Sequence, residues 1–262
     1  MKVVLFCGGM GTRLRDYSET IPKPLVEIGS RPIMWHLMKY YAHFGHNDFI
    51  LCLGYGATAI KNYFLKYEPS VSSDFVLSNG GGPNLQIELL HKDIEDWRIT
   101  FVETGLHSNI GERLGAVRKH LAGEEMFLAN YADGLSDLDL TTYIDNFRHR
   151  GKTACCLTVP APYSFHLVHS DSEHLATQLE LVTSSNLRIN GGFFAFRQEI
   201  FDYLQPGEEL VVEPFQRLIQ KKQLIAVSFD GFWRSMDTFK DKMQLEELLT
   251  RGRGPWQVWQ RS

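Results

Sequence analysis

The stretch KVVLFCGGMGTRLRDYSETIPKPLVEIGSRPI, from Lys2 to Ile33, decides how the rest of the chain is read. Residues 3–6 form a short apolar run closed by glycine, which reads as a buried strand. Gly8, Gly9 and Gly11 follow at once. With no Cβ in the way, such a turn lets backbone N–H groups approach an anion closely. Thr12 adds a hydroxyl donor and Arg13 a planar guanidinium suited to phosphate. Lys23, stiffened between Pro22 and Pro24, adds a second cation. Two standard phosphate loops are excluded. Gly9-Met10-Gly11-Thr12-Arg13-Leu14 lacks the third glycine of the dinucleotide fingerprint, and no Gly-Lys-Ser/Thr closes a P-loop. On the glycines alone, an anion cradle and an ordinary strand turn both stand.

Working outward, 262 residues can bury one large core, or a main domain with a small lobe. A chain that is 44% hydrophobic and 22% charged has the make-up of a soluble globular enzyme. Lys plus Arg number 27 and Asp plus Glu 31, a net charge of −4 with no basic run, which speaks against a nucleic-acid binder. No apolar run approaches the roughly 18 residues of a membrane span. Cys7, Cys52, Cys155 and Cys156 include no C-x-x-C pair, so buried reduced thiols and a cytoplasmic location are expected. Met1 and Lys2 lead straight into the first strand, so no signal peptide is expected.

Residues 33–41 carry apolar side chains at helical spacing, 49–53 read as a second buried strand, and 59–65 as a helix. Strand and helix in alternation predict a mostly parallel sheet with crossover helices. Residues 70–84, rich in Ser, Gly and Asn, read as an exposed loop. Strands are expected at 85–90, 99–103, 126–131 and 153–159, and helices at 110–121 and 139–150. Past Pro160 the pattern changes to short apolar pieces, which predict antiparallel strands over 163–187. A strand at 191–196, helices at 199–204 and 214–222, a strand at 224–229 and a helix at 239–251 complete the reading. The expectation is one three-layer α/β domain over 1–262, with a mostly parallel mixed sheet and a small β-rich insertion near 160–190.

Asp133 follows the apolar run FLANY and precedes Gly134. At the carboxyl end of a strand an Asp can hold Mg2+, which needs hard oxygen ligands; Asp-Gly is also a common turn pair. Asp237, in GFWRSMDT, again lies between a strand-like stretch and a helix, where an acid also suits the helix dipole. Arg113 suits a phosphate, a base edge or a surface acid. Ser108 precedes a helix and also suits a cap, while Asn190-Gly191-Gly192 suits close approach of a ligand or a bulge. The ten histidines form no HExxH motif, and no G-x-S-x-G elbow supports a serine nucleophile.

GGMGTRL, KPLVEIG, RPIMWHLMKYY, DFILCLGY, ETG, GERL, ADGLSDLD, INGGFF, GFWRSMDT and the PW-x-x-W tail together resemble the sugar nucleotidyltransferases, above all those that join CTP to glucose 1-phosphate. The resemblance runs over most of the chain. It implies a nucleotidyltransferase α/β fold and an Mg2+-dependent transfer of CMP to a sugar 1-phosphate with release of pyrophosphate. Phe6, Cys7, Gly8, Gly9, Met10, Gly11, Thr12 and Arg13 would wrap the nucleotide, and Lys23 would hold its phosphates. Ser108 and Arg113 would complete that pocket. Asp133 and Asp237 would bind the metal, and Arg13, Lys23 and Asp133 would carry catalysis. Glu180, Asn190 and Gly191 would border the acceptor, and a homo-oligomer is implied.

One departure stands out. The family carries a Glu-Lys-Pro segment before its NGG motif, whose Lys grips the sugar phosphate. Here the stretch reads Leu179-Glu180-Leu181-Val182, and Ser164-Phe165-His166 stands where a Phe-Gly pair is expected. A leucine cannot offset a phosphate charge. Arg188, His166 or His169 would have to replace the cation, or the acceptor would be a different phosphate or phosphonate. A non-catalytic nucleotide-binding homologue is the third reading.

Overall fold

A computed structural model of the chain describes residues 1–9, 21–91, 93–162, 165–252 and 254–260. Met10, Gly11, Thr12 and Arg13 lie outside the described residues.

The first strand, β1 (Lys2–Phe6), explains the layering. Val3, Leu5 and Cys7 enter one apolar cluster, whereas Val4 and Phe6 enter another. This period of two puts alternate side chains on opposite faces, so a strand apolar throughout must be covered on both sides. Two short strands, β2 (Glu27–Ile28) and β3 (Arg31–Pro32), lead into helix α1 (Ile33–His43). Next come β4 (Asp48–Leu53), α2 (Ala57–Leu65), and the hairpin of β5 (Phe75–Ser78) and β6 (Gln86–Leu89). Then follow β7 (Arg98–Glu103), α3 (Ile110–Val117), β8 (Met126–Tyr131), β9 (Gly134–Ser136), α4 (Leu140–Arg150) and β10 (Ala154–Pro160). After β10 come β11 (His166–Ser170), β12 (Ala176–Leu181), β13 (Arg188–Arg197), α5 (Glu213–Gln220), β14 (Leu224–Ser228), β15 (Trp233–Ser235) and α6 (Phe239–Thr250).

The central sheet has seven strands in the order β14-β10-β13-β8-β1-β4-β7. Its pairings are parallel except where β13 meets β8 and β10. Helices α1 and α4 pack on one face through Leu37, Tyr41, Tyr143 and Phe147; α3 and α5 pack on the other through Leu114, Val117, Phe215 and Leu218. The three-layer α/β architecture expected from the sequence is the one observed. In such a sheet the parallel strands aim their carboxyl ends at one rim, which is where ligands bind.

Some local expectations are corrected. The 70–84 loop contains β5, which pairs with β6 as a separate hairpin. Its polar Ser-Asn-Gly tip hid a strand whose four residues are all exposed, so no buried apolar face marked it. The helix expected over 110–121 ends at Val117 and tightens into a 3-10 turn over Arg118–Leu121. The helix expected at 199–204 is likewise a 3-10 turn, Gln198–Asp202. The antiparallel strands after Pro160 are β11 and β12, paired with each other.

The chain closes on itself through Trp256, which is buried and donates from Nε1 to Nδ1 of His36 at 3.3 Å. His36 Nε2 lies 2.9 Å from the Ile28 carbonyl. Because indole N–H only donates, Nδ1 must accept, so the proton sits on Nε2 and the ring is neutral. Burial holds this imidazole's pKa down at about 4.

Candidate active site

Four strand ends meet at the carboxyl rim: β1 at Phe6, β4 at Leu53, β7 at Glu103 and β8 at Tyr131. The turn after β1 is pinned by Cys7 N–H donating to the Cys52 carbonyl and Tyr55 N–H to that of Gly8. Arg113, from α3, then reaches under the turn. Its Nη2 donates to Gly8 O at 3.0 Å, and its Nη1 donates to Leu53 O at 3.1 Å and Thr104 Oγ1 at 2.7 Å. One guanidinium thereby ties β1, β4 and β7 together.

That contact explains Gly8. A Cβ placed there would lie 2.1 Å from Arg113 Nη1. Gly9 differs: among the described residues, a Cβ at Gly9 would meet nothing within 4 Å. Arg113 is only 3% exposed, and desolvation lowers its pKa. A guanidinium remains charged in proteins regardless, so this is a fixed positive charge below the turn. Ser108 is not the cap of α3; Asn109 is, in a reciprocal box with Glu112. Ser108 Oγ instead donates to Thr104 O at 2.6 Å.

The second cluster is built by a ribbon. Strands β9 and β15 pair antiparallel with Gly134 opposite Ser235. This register carries Asp133, just before β9, alongside Met236, whose N–H donates to the Asp133 carbonyl at 2.9 Å. Asp237 follows directly, before Thr238 caps α6. Its carboxylate accepts from Ser235 Oγ at 2.8 Å, and its N–H donates to Asp241 at 3.1 Å. Two aspartates 104 positions apart in the chain (237 − 133) thus face one point.

Lys23 occupies that point. It opens a 3-10 turn, Lys23–Leu25, entered through Pro22 and closed by Val26 N–H on the Lys23 carbonyl. Its Nζ lies 2.6 Å from Asp133 Oδ2 and 2.8 Å from Asp237 Oδ1. Burial disfavours the ammonium, but the charges and hydrogen bonds of Asp133 and Asp237 outweigh it and raise the Lys23 pKa. The side chains of Lys23, Asp133 and Asp237 are 13, 24 and 37% exposed, so solvent and ligands reach the cluster. Among the described residues no group of three or more metal-ligating side chains converges. Two carboxylates nonetheless suit Mg2+, which keeps several waters and takes its remaining ligands from substrate phosphates. The ammonium held between them is a stand-in cation, and the oxygen donors are hard.

Beyond β8, Asn190 Oδ1 accepts from Gly192 N–H at 2.9 Å, and the Gly191 carbonyl accepts from Trp233 Nε1 at 2.8 Å. Trp233 belongs to the same ribbon as the aspartates, so the Asn190-Gly191 corner is fastened to it. Gly192 has φ +73°, and a Cβ there would lie 2.5 Å from Tyr131. Glu180 lies on the β11–β12 hairpin opposite Leu167, and Leu181 opposite His166. Arg188 is committed elsewhere: it bonds Asp230, Thr158 O and Phe229 O. His169 lies 3.9 Å from Glu180. The sequence marks Glu103-Thr104-Gly105 as a strand end where a base or sugar could be read; Thr104 instead accepts from Arg113. Sequence reasoning missed Gly54 and Ser235, which support the Gly8 turn and Asp237. Only the Thr238-x-x-Asp241 capping box left a readable signal.

A glycine turn backed by a fixed guanidinium, with paired carboxylates at the rim of an α/β sheet, is an arrangement that suits a phosphorylated ligand. The chain belongs to the nucleotidyl transferase family, whose model matches residues 2–251. It is 37% identical over 262 residues to a glucose-1-phosphate cytidylyltransferase of Salmonella typhi, covering 99% of this chain and 100% of that protein. It is 25% identical over 254 residues to a mannose-1-phosphate guanyltransferase of Schizosaccharomyces pombe, covering 92% of this chain and 62% of that one. In fold it is similar to HddC from Yersinia pseudotuberculosis, solved with GMP-PN, at a TM-score of 0.65 and 18% identity over 95% of this chain and 99% of that one.

Proposed function

We propose that the chain transfers CMP from CTP to glucose 1-phosphate, releasing pyrophosphate, with Mg2+ as cofactor. The 37% identity spread over 99% of the chain carries the choice of CTP and glucose 1-phosphate. In the proposed reaction a phosphate oxygen of the sugar attacks the α-phosphorus of CTP, and pyrophosphate leaves in line. Such a step needs positioning and charge stabilisation rather than a protein nucleophile.

In this reading the Gly8–Gly9 turn presents backbone N–H groups to the triphosphate, and Arg113 holds the turn in shape from beneath. Ser108 supports the same wall through Thr104. Arg13, with Thr12 and Gly11, would contact the triphosphate, as the family resemblance implies. Lys23 takes a phosphate oxygen, and Asp133 and Asp237 hold the metal. Bound there, Mg2+ would reduce repulsion between the two anionic substrates and offset charge building at phosphorus. Asn190 and Gly191 would border the sugar, and Glu180 would contact it, as the family resemblance implies.

Four free, buried thiols support action in a reducing compartment such as the cytoplasm. Exposed apolar side chains on both hairpins, among them Val76, Leu77, Ile87, Val168, Leu179 and Leu181, support assembly into a homo-oligomer. Light scattering of the purified chain tests the assembly.

The decisive measurement is pyrophosphate release from a matrix of nucleoside triphosphates against sugar 1-phosphates and phosphonates. Release that is greatest with CTP and glucose 1-phosphate is expected. Since Leu181 supplies no cation and Arg188 is engaged, release confined to another acceptor would replace glucose 1-phosphate while leaving the chemistry intact. Asp133→Asn is expected to lower turnover by about 100-fold or more, the scale for losing one preorganised electrostatic contact, with an unchanged circular-dichroism spectrum. Undiminished turnover would remove Asp133 from the site.

A further inference from the structure

The position of Lys23 raises a question of occupancy. Its ammonium nitrogen lies 2.6 and 2.8 Å from one oxygen of each aspartate. A divalent ion held by the same two oxygens would compete with the ammonium for them. The two cations would then claim nearly the same volume, and their charges repel. They cannot share those two oxygens.

The backbone of Lys23 is not free to retreat. Pro22 and Pro24 flank it, Val26 N–H bonds its carbonyl, and Pro22 abuts Gly56, where a Cβ would meet the proline ring at 2.6 Å. The side chain, by contrast, has four rotatable bonds and a compact point charge with three donors. Exchange must therefore occur by rotation of the side chain about a fixed anchor.

Resting on the nucleotidyl-transfer reading, we propose that Lys23 is a built-in counter-ion: it holds Asp133 and Asp237 together until a triphosphate draws it away, and only then do they take the divalent cation. The phosphate oxygens accept the ammonium, and the two carboxylate oxygens it leaves accept the metal. Metal and nucleotide therefore bind with positive linkage, which is reciprocal by thermodynamic necessity. This linkage is additional to the metal's own affinity for phosphate, because it acts through the protein. Lys23 thereby sets the order of assembly as well as contacting substrate.

The test uses Mn2+ alone, with free ion measured by electron paramagnetic resonance on the full chain. Unmodified protein is expected to bind Mn2+ weakly in the absence of nucleotide. Lys23→Gln and the near-isosteric Lys23→Met are expected to bind it at least tenfold more tightly, and adding Asp133→Asn to either is expected to abolish the gain. Equal or weaker binding by both Lys23 variants, with Mn2+ still retained when CTP is present, would overturn the counter-ion role while sparing the metal site. Failure of every form to retain Mn2+ even with CTP would overturn the metal assignment beneath it. A second readout needs no mutation. Acetylation of Lys23, followed by mass spectrometry, is expected to accelerate as Mn2+ is raised to saturation; a rate indifferent to Mn2+ would also sink the exchange.

Discussion

Gly8 and Gly9 are neighbours with different reasons for being glycine. Gly8 lacks a Cβ because Arg113 fills the space; at Gly9 no described residue would meet one. The pair offers a separation of structure from binding. Gly8→Ala must displace a guanidinium fastened to Leu53 O and Thr104 Oγ1, and is expected to cost about 1–3 kcal/mol, the range for overpacking a tight site. Gly9→Ala is expected to change stability by less than about 0.5 kcal/mol yet weaken CTP binding. Urea midpoints and nucleotide titrations on the two variants check both halves. Equal losses of stability would mean that a Cβ at Gly9 meets a neighbour after all.

Among the elements, helix α6 shows how a cap can position chemistry. Thr238 Oγ1 accepts from Asp241 N–H at 3.2 Å, and the Asp241 carboxylate accepts from the Thr238 and Asp237 N–H groups at 2.8 and 3.1 Å. The last of these bonds fixes the backbone of Asp237, so the cap and the candidate metal ligand share one carboxylate. Thr238→Ala is expected to cost about 1 kcal/mol, the usual price of an N-cap. It is also expected to weaken Mn2+ binding in the presence of CTP, measured by the same resonance method. Thr238→Ser should restore both. The β9–β15 ribbon is the other decisive element. It has three paired positions, too few for a sequence pattern to mark, yet its register brings Asp133 and Asp237 together.

At the scale of the molecule, the tail, α1 and the β2–β3 turn are joined through one neutral histidine. Unfolded, His36 titrates near 6.5; folded, it titrates near 4. The unfolded chain therefore binds more protons between those values, and stability falls as pH drops through that window. Between pH 7 and pH 5 the loss from this group is about 2 kcal/mol. Glu246 and Arg31 act on it with opposite signs. Denaturant titrations across that range are expected to show the slope, and His36→Gln to reduce it; an unchanged slope would place the acid sensitivity elsewhere. The strand–helix alternation, the apolar runs of β1, β4, β8 and β10, and the family string at residues 2–33 were all legible in one dimension, because burial leaves a periodic or continuous apolar signal. The candidate site residues Lys23, Asp133 and Asp237 were legible as types in suitable places. Which groups they meet was not. That Arg113 spends its donors on backbone carbonyls, that Gly8 makes room for it, and that Lys23 bridges the two aspartates are matters of contact between distant segments. Such contacts depend on strand register and side-chain packing, for which the linear order of residues carries no local mark.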